Sequence, residues 1–227
     1  MQVTRTKIRL GTRNRPEQTR AAILDAALHE FAQEGVSGAR IDAIARSARV
    51  NKALLYYYFK DKESLYGAVI ERVFGRLSER ISEALARELP IREKYLGYVA
   101  AHFDYVAGNP LLPRIFMREW MRSGRSASPH LRRIVEQYLR PTFQKISGLI
   151  AEGVAAGEFR AVDPLHFIPS TVAMIVFYFA STPVMAVLTA GDPLAPERIA
   201  QRRAAVLDYV SAILFVPRPA VREGAAQ

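Results

Sequence analysis

The chain has 227 residues, half of them hydrophobic, and contains no cysteine. This length suits one large domain or two small ones at roughly 150 residues per domain, and the apolar content excludes a wholly disordered chain. The lack of cysteine excludes a disulfide scaffold, a cysteine nucleophile and a thiolate metal site, and it fits a reducing compartment such as the cytoplasm. Lys and Arg number 32 against 22 Asp and Glu, a formal net charge of +10. This balance favours a polyanionic partner, nucleic acid first and an anionic membrane second.

Part of this positive charge is concentrated at the N-terminus. Residues 1–20 carry one acid, Glu17, and six basic residues: Arg5, Lys7, Arg9, Arg13, Arg15 and Arg20. We interpret residues 1–15 as a flexible basic arm, which is either a solubilising tail or a segment that follows phosphates. The first ten residues lack an apolar run of the length that a secretory signal requires.

The hydrophobic pattern is helical almost throughout, and no stretch shows a convincing period of two. Prolines, glycines and capping residues divide the chain into about nine predicted helices. In chain order these cover residues 16–34, 41–47, 52–58, 62–88, 92–107, 110–122, 130–155, 164–189 and 195–215. Pro141 is expected to kink the seventh helix or to mark its start. The predicted fold class is all-α, with a frayed tail over residues 218–227.

One segment is long enough to cross a bilayer. Residues 167–191 carry no formal charge. Two prolines and several hydroxyl side chains interrupt the segment, and no cluster of Lys or Arg flanks it. A helix buried between the core and a partner subunit would need the same apolar character on all sides. We therefore predict a buried helix and no membrane span.

The second and third predicted helices are short and are joined by a four-residue turn after a longer helix, which is the layout of a helix-turn-helix. A rotation of about 100° per residue places Leu55 and Phe59 on the buried side of the third helix. Its exposed side then carries Lys52, Ala53, Leu54, Tyr56 and Tyr57. These side chains can contact phosphates, sugars, a thymine methyl group or a guanine edge in the major groove. The alternative is that the tyrosines pack a hinge between two units, which we expect of Tyr58.

Residues 38–73, GARIDAIARSARVNKALLYYYFKDKESLYGAVIERV, resemble the helix-turn-helix signature of the TetR family of transcriptional regulators. The similarity rests on Ile44-Ala45, on Val50, on the block Leu55 to Phe59, and on Lys62 followed by Glu63 and Leu65. The preceding helix matches through Ile23 to Ala27 and Phe31 to Gly35. Two positions depart from the pattern: Arg49 replaces the usual turn glycine, and Arg40 stands where a Ser or Thr cap is common. Both changes add positive charge.

The resemblance implies a three-helix DNA-binding domain over 16–60 and a helical effector-binding and dimerisation domain over 61–217. It implies a homodimer formed through the helices near 164–189 and 195–215. It also implies a repressor that binds a palindromic operator and is released by a small hydrophobic effector. The implied DNA contacts are Arg40, Lys52, Ala53, Leu54, Tyr56, Tyr57 and Lys62. Candidate effector-pocket residues are His102, Phe103, Met117, Trp120, Met121, Tyr138, Phe143, Met174, Phe177 and Tyr178, although side chains of these types at helical spacing are usually core.

Functions of other classes have less support. The sequence lacks G-x-S-x-G, a P-loop, G-x-G-x-x-G and H-E-x-x-H, and its four histidines are far apart, so we expect neither an enzyme nor a metal or cofactor site. The remaining alternative is a basic peripheral membrane or protein-interaction module without sequence-specific DNA binding.

Overall fold

The computed structural model describes residues 16–123 and 128–217. The basic arm 1–15, the tail 218–227 and most of the predicted loop 124–129 lie outside the described residues. The helices are α1 (Pro16–Gly38), α2 (Ile41–Ser47), α3 (Lys52–Tyr58), α4 (Lys62–Leu85), α5 (Ile91–Ala107), α6 (Leu112–Ser123), α7 (Pro129–Ile134), α8 (Arg140–Ala155), α9 (Pro164–Ala180), α10 (Thr182–Thr189) and α11 (Pro196–Leu214). The all-α prediction is confirmed, because the described residues add only one isolated bridge between Phe159 and Phe215.

The first three helices follow the sequence signals closely. α1 is kinked at Gly35, where the backbone adopts φ 69° and ψ 174°. Glycine has no Cβ and adopts this conformation without the steric cost that other residues meet. The kink separates the predicted helix 16–34 from one further turn, which leads directly into α2. The observed limits of α2 and α3 are those predicted.

A capping box fixes the start of α4. The Asp61 side chain accepts from the Ser64 backbone N–H at 2.7 Å, and the Ser64 hydroxyl oxygen accepts from the Asp61 N–H at 3.0 Å. These hydrogen bonds satisfy donors that would otherwise lack partners at a helix N-terminus, and they lower the pKa of Asp61. α4 therefore begins at a defined residue just after α3.

Two hydrophobic cores share α4. The first contains Leu65, Val69 and Ile70 from its N-terminal half, together with side chains of α1, α2, α3, α6 and α7. The second contains Ile81 from its C-terminal half, with side chains of α5, α8, α9 and α11. The first core therefore draws on both sides of the predicted boundary at residue 60, and α4 contributes side chains to both cores.

The predicted single helix over 164–189 is wrong. α9 and α10 meet at Ser181 and are bent by 69° relative to each other. Pro183 has no N–H to donate to the carbonyl of Phe179, and the Thr182 hydroxyl donates to that carbonyl at 3.2 Å instead. Within the described part of the chain, no single helix has the length and apolarity of a bilayer span, although the bent pair meets that test when both helices are counted together.

The predicted helix 130–155 is interrupted as well. α7 and α8 are joined by a π-helical turn over Val135–Leu139. Pro141 follows directly and stands in the first turn of α8. A proline is tolerated there because the N–H groups of the first turn have no partner within their own helix. The expectation that Pro141 marks a kink or a start is confirmed.

Candidate nucleic-acid interface

α3 is held by one buried face and one cap. Leu55 is fully buried and Phe59, just after the helix, is almost so. The Asn51 side chain accepts from the Leu54 backbone N–H at 2.7 Å, so Asn51 is the N-cap of α3. These two constraints fix which side of the short helix faces outward.

The outward side of α3 carries aromatic rings. Tyr57 is 80% exposed and Tyr56 is 45% exposed, while Ala53 is exposed and Leu54 half-buried beside them. Tyr58 is half-buried, packs against the first core and meets the Tyr57 ring edge-to-face at 5.4 Å between centroids. The rings of Tyr56 and Tyr57 are thus not buried between two units. Of the three tyrosines, Tyr58 is the one that packs against the first core.

Lys52 extends from the start of α3 to α2. Its ammonium lies 2.9 Å from the Asp42 carboxylate, and both side chains are more than half exposed. The hydrogen bond and the charge attraction raise the pKa of Lys52 and lower that of Asp42. An exposed pair of this kind adds little stability, because water solvates both charges in its absence. A phosphate could therefore replace Asp42 as the partner of Lys52 at small cost.

Two predicted contacts have roles within the fold. The Lys62 ammonium donates to the carbonyls of Ser37 and Ala39, at 3.0 and 3.1 Å, and so caps the C-terminal end of α1. Two of the three N–H groups of the ammonium are thus engaged within the fold, and the phosphate contact of Lys62 stays a prediction. Arg40 occupies the N-cap position of α2, but its side chain makes no capping hydrogen bond. Its backbone N–H donates to Glu30 Oε1 at 2.9 Å. The Arg40 side chain lies on the exposed surface.

The comparisons with known proteins agree with this geometry. Residues 23–69 match the family described as bacterial regulatory proteins of the tetR family, and residues 93–210 match the tetracyclin repressor-like C-terminal domain. The chain belongs to the TetR family.

TetR-family relatives and a solved structure extend the match. The transcriptional repressor SCO4008 of Streptomyces coelicolor is 37% identical over 55% of this chain and 62% of its own length. The repressor NicS of Pseudomonas putida is 32% identical over 70% of this chain and 73% of its own. The regulator FadR of Bacillus subtilis, solved in complex with stearoyl-CoA, gives a TM-score of 0.60 at 24% identity over 84% of this chain and 97% of its own. This TetR-family protein is a DNA-binding transcriptional regulator.

The predicted effector residues do not converge on one enclosed site. Tyr138 packs against the first core, whereas Phe143, Met174 and Tyr178 pack against the second, to which Phe103 belongs. Met117 is half-buried. Three further candidates are largely exposed in the single chain, which contradicts an interior position: Trp120 at 50%, Met121 at 73% and Phe177 at 69%.

The structure also shows a small polar cleft and several buried polar atoms without a partner. The cleft, of about 40 Å³, lies between α1, α4 and α5 beside Arg72 and Tyr105, and no candidate effector residue lines it. Among the described residues, four buried side-chain atoms lack a partner within hydrogen-bond geometry: His102 Nδ1, Ser147 Oγ, Arg202 Nε and the Tyr95 hydroxyl, which lies next to the Thr171 side chain. Sequence reasoning selected only His102 of these, because Tyr95 and Ser147 follow ordinary helical spacing.

Exposed large apolar side chains are concentrated on the last three helices. These are Leu165 and Phe177 of α9, Val184, Val187 and Leu188 of α10, and Tyr209 and Ile213 of α11. A monomeric soluble protein seldom exposes a contiguous apolar patch of large area. These side chains fall on the two predicted dimerisation segments.

Proposed function

We propose that this protein is a cytoplasmic homodimeric repressor that binds a palindromic operator through α3 and leaves it when a small hydrophobic effector binds. The observation that carries the proposal is the exposed ridge of α3, formed by Lys52, Ala53, Leu54, Tyr56 and Tyr57. A seven-residue helix whose rings face water while Leu55 anchors it suits insertion into the major groove.

The first test is DNA binding by variants of the ridge. The native protein should select a palindrome from a random DNA pool, and its half-sites should lie about one helical turn apart, or a multiple of it. Tyr57→Ala should lower affinity for the selected duplex at least about tenfold, while Leu89→Ala, at an exposed apolar side chain beyond the far end of α4, should leave the DNA affinity unchanged. A native protein that recovers no palindrome would refute the proposal.

The exposed apolar side chains of α9 and α11 support dimerisation. A two-fold axis along these helices would bury the exposed rings of Phe177 and Tyr209 between subunits. We expect sedimentation equilibrium to give a dimer. Phe177→Glu should shift it to monomer, because two uncompensated carboxylates would enter the interface. The exposed Glu83→Gln variant is a control for altered charge and should stay dimeric.

The buried polar atoms of the second core support an effector site there. Burying a polar atom without a hydrogen bond is costly, and a bound molecule could supply the missing partner of His102 Nδ1. Burial lowers the pKa of His102 to about 4, so its imidazole is neutral and suits an effector without a strong negative charge at that point. The FadR structure in complex with stearoyl-CoA supports an effector that carries an apolar chain.

The proposed mechanism is a shift of population between a DNA-competent dimer and one with differently spaced α3 helices. The effector shifts this balance only by its difference in affinity for the two states. Screening neutral hydrophobic compounds for release of the selected duplex tests this step. His102→Leu should remove the response to any compound found and leave operator binding intact.

A further inference from the structure

The turn between α2 and α3 contains a residue in a costly backbone conformation. Arg49 has φ 57°, and within residues 16–123 and 128–217 only Ala190 shares a positive φ among residues other than glycine. Left-handed backbone brings the Cβ of an L-residue close to the carbonyl that follows it, which is why glycine is the usual occupant.

The hydrogen bonds identify the turn as a Schellman motif. The Val50 N–H donates to the Ala45 carbonyl at 2.9 Å, and the Arg49 N–H donates to the Arg46 carbonyl at 3.1 Å. These are the two bonds that end a helix in this motif, whose left-handed position is most often glycine. The bonds depend on the backbone alone, so nothing in the motif requires an arginine side chain.

The Arg49 side chain also has no partner within the fold. It is exposed, and among the described residues it makes no hydrogen bond or ion pair, whereas its neighbours Ala48 and Val50 pack against the first core. An arginine that served folding would be expected to have a carboxylate or an aromatic ring to contact. Here the cost of the conformation is not offset by any contact within the subunit.

The surrounding charge is unbalanced. Residues 40–61 contain five basic side chains and two acidic ones, Asp42 and Asp61. Asp42 is paired with Lys52 and Asp61 caps α4, so neither carboxylate serves Arg49. Arg49 thus lies just before the start of α3, and no carboxylate among the described residues neutralises its exposed guanidinium.

We propose that Arg49 is an additional phosphate contact of the operator complex, in which its guanidinium binds the DNA backbone next to the groove that α3 enters. The inference depends on the DNA binding proposed above. A phosphate contact gives affinity without reading sequence, so Arg49 contributes equally to every duplex. Its left-handed backbone is then a stability cost retained for DNA affinity.

The test compares Arg49→Gly, Arg49→Asn and Arg49→Lys with the native protein on the selected palindrome and on a random-sequence duplex, over a range of salt concentrations. Loss of one contact per subunit should make the log–log salt slope shallower by about 1.8 for a dimer, and should weaken binding about 30-fold at 0.15 M salt. Both duplexes should be affected alike. Arg49→Lys should keep the native slope.

Thermal unfolding separates this role from a folding role. Arg49→Gly removes the strained side chain, so its Tm should rise by about 2–4 °C while its DNA affinity falls. Arg87→Asn removes an exposed charge just beyond the far end of α4 and should change neither the salt slope nor the affinity by more than about twofold. Native slope and affinity in Arg49→Gly would overturn this inference and leave the proposed repressor standing. A native protein without DNA binding would overturn both.

Discussion

The Tyr66 hydroxyl donates a 2.7 Å hydrogen bond to the Glu119 carboxylate, which is almost completely buried between α4 and α6. The Ser128 hydroxyl, which also caps α7, donates to the other oxygen of the same carboxylate. The His130 ring meets the Tyr66 ring edge-to-face at 5.6 Å. Three helices therefore meet at one charged group.

Tyr66→Phe tests this junction. The variant removes one donor from a buried carboxylate and leaves the ring in place, so the free energy of unfolding should fall by about 2 kcal/mol, or about 4–8 °C in Tm. Tyr57→Phe removes a hydroxyl from an exposed ring and should change the unfolding free energy by less than about 0.5 kcal/mol. Equal Tm values for Tyr66→Phe and the native protein would show that the contact does not stabilise the fold.

Gly153 and Gly148 of α8 form a matched pair for a packing prediction. A Cβ at Gly153 would overlap the buried ring of Phe159, whereas a Cβ at Gly148 would meet nothing within 4 Å. Gly153→Ala should therefore destabilise by about 1–3 kcal/mol, because the ring must move. Gly148→Ala should stabilise by about 0.5–1 kcal/mol through helix propensity. Urea unfolding of the two variants measures both changes in the free energy of unfolding. Changes of the same sign would contradict the packing described.

Asn51→Ala should destabilise α3 at its start. The variant removes the acceptor for the Leu54 N–H, at a cost of about 1 kcal/mol. Asn51→Ser restores an acceptor at the cap and should recover most of that loss. Amide hydrogen exchange at Leu54 measures the effect at the cap itself, and it should be faster in Asn51→Ala. Exchange as slow in Asn51→Ala as in the native protein would argue against the cap.

His102 gives the protein a pH-dependent stability. Burial lowers its pKa from 6.5 to about 4, so between these values the unfolded chain binds a proton that the folded chain does not. The free energy of unfolding should therefore decrease as the pH falls through this range, by up to about 3 kcal/mol in total.

His102→Asn removes the titrating group and isolates its contribution from that of the carboxylates. The difference in unfolding free energy between native protein and variant should shrink as the pH falls from about 6.5 to about 4. A constant difference for His102→Asn would contradict a buried neutral imidazole.

Local signals predicted the DNA-facing unit well. The limits of α2 and α3, the Asn51 cap and the burial of Leu55 follow from spacing and capping within a few residues, which the sequence displays directly. The role of Lys62 could not be read in this way, because its two carbonyl partners lie 25 and 23 residues earlier in the chain and meet it only when α1 packs on α4.

The larger domain was less predictable for a related reason. Trp120 and Phe177 have the residue types of a pocket lining, yet their exposure depends on which helix face meets which neighbour. The bend at Ser181 depended on the joint effect of Pro183 and Thr182, which a hydropathy pattern does not register. Sequence therefore gave the approximate helix limits here, but it could not give the orientation of the helices.

The two ends of α4 are embedded in different cores, so a change in its tilt would displace both. Its 24 residues make a rod about 36 Å long. A tilt of about 5° around its midpoint would move each end by about 1.6 Å. The two-fold axis proposed above would repeat this motion in the second subunit. The distance between the two α3 helices would then change by about 3 Å, nearly one base-pair step of B-form DNA. A small rearrangement around an effector would thus suffice to move the two α3 helices away from the spacing of successive major grooves.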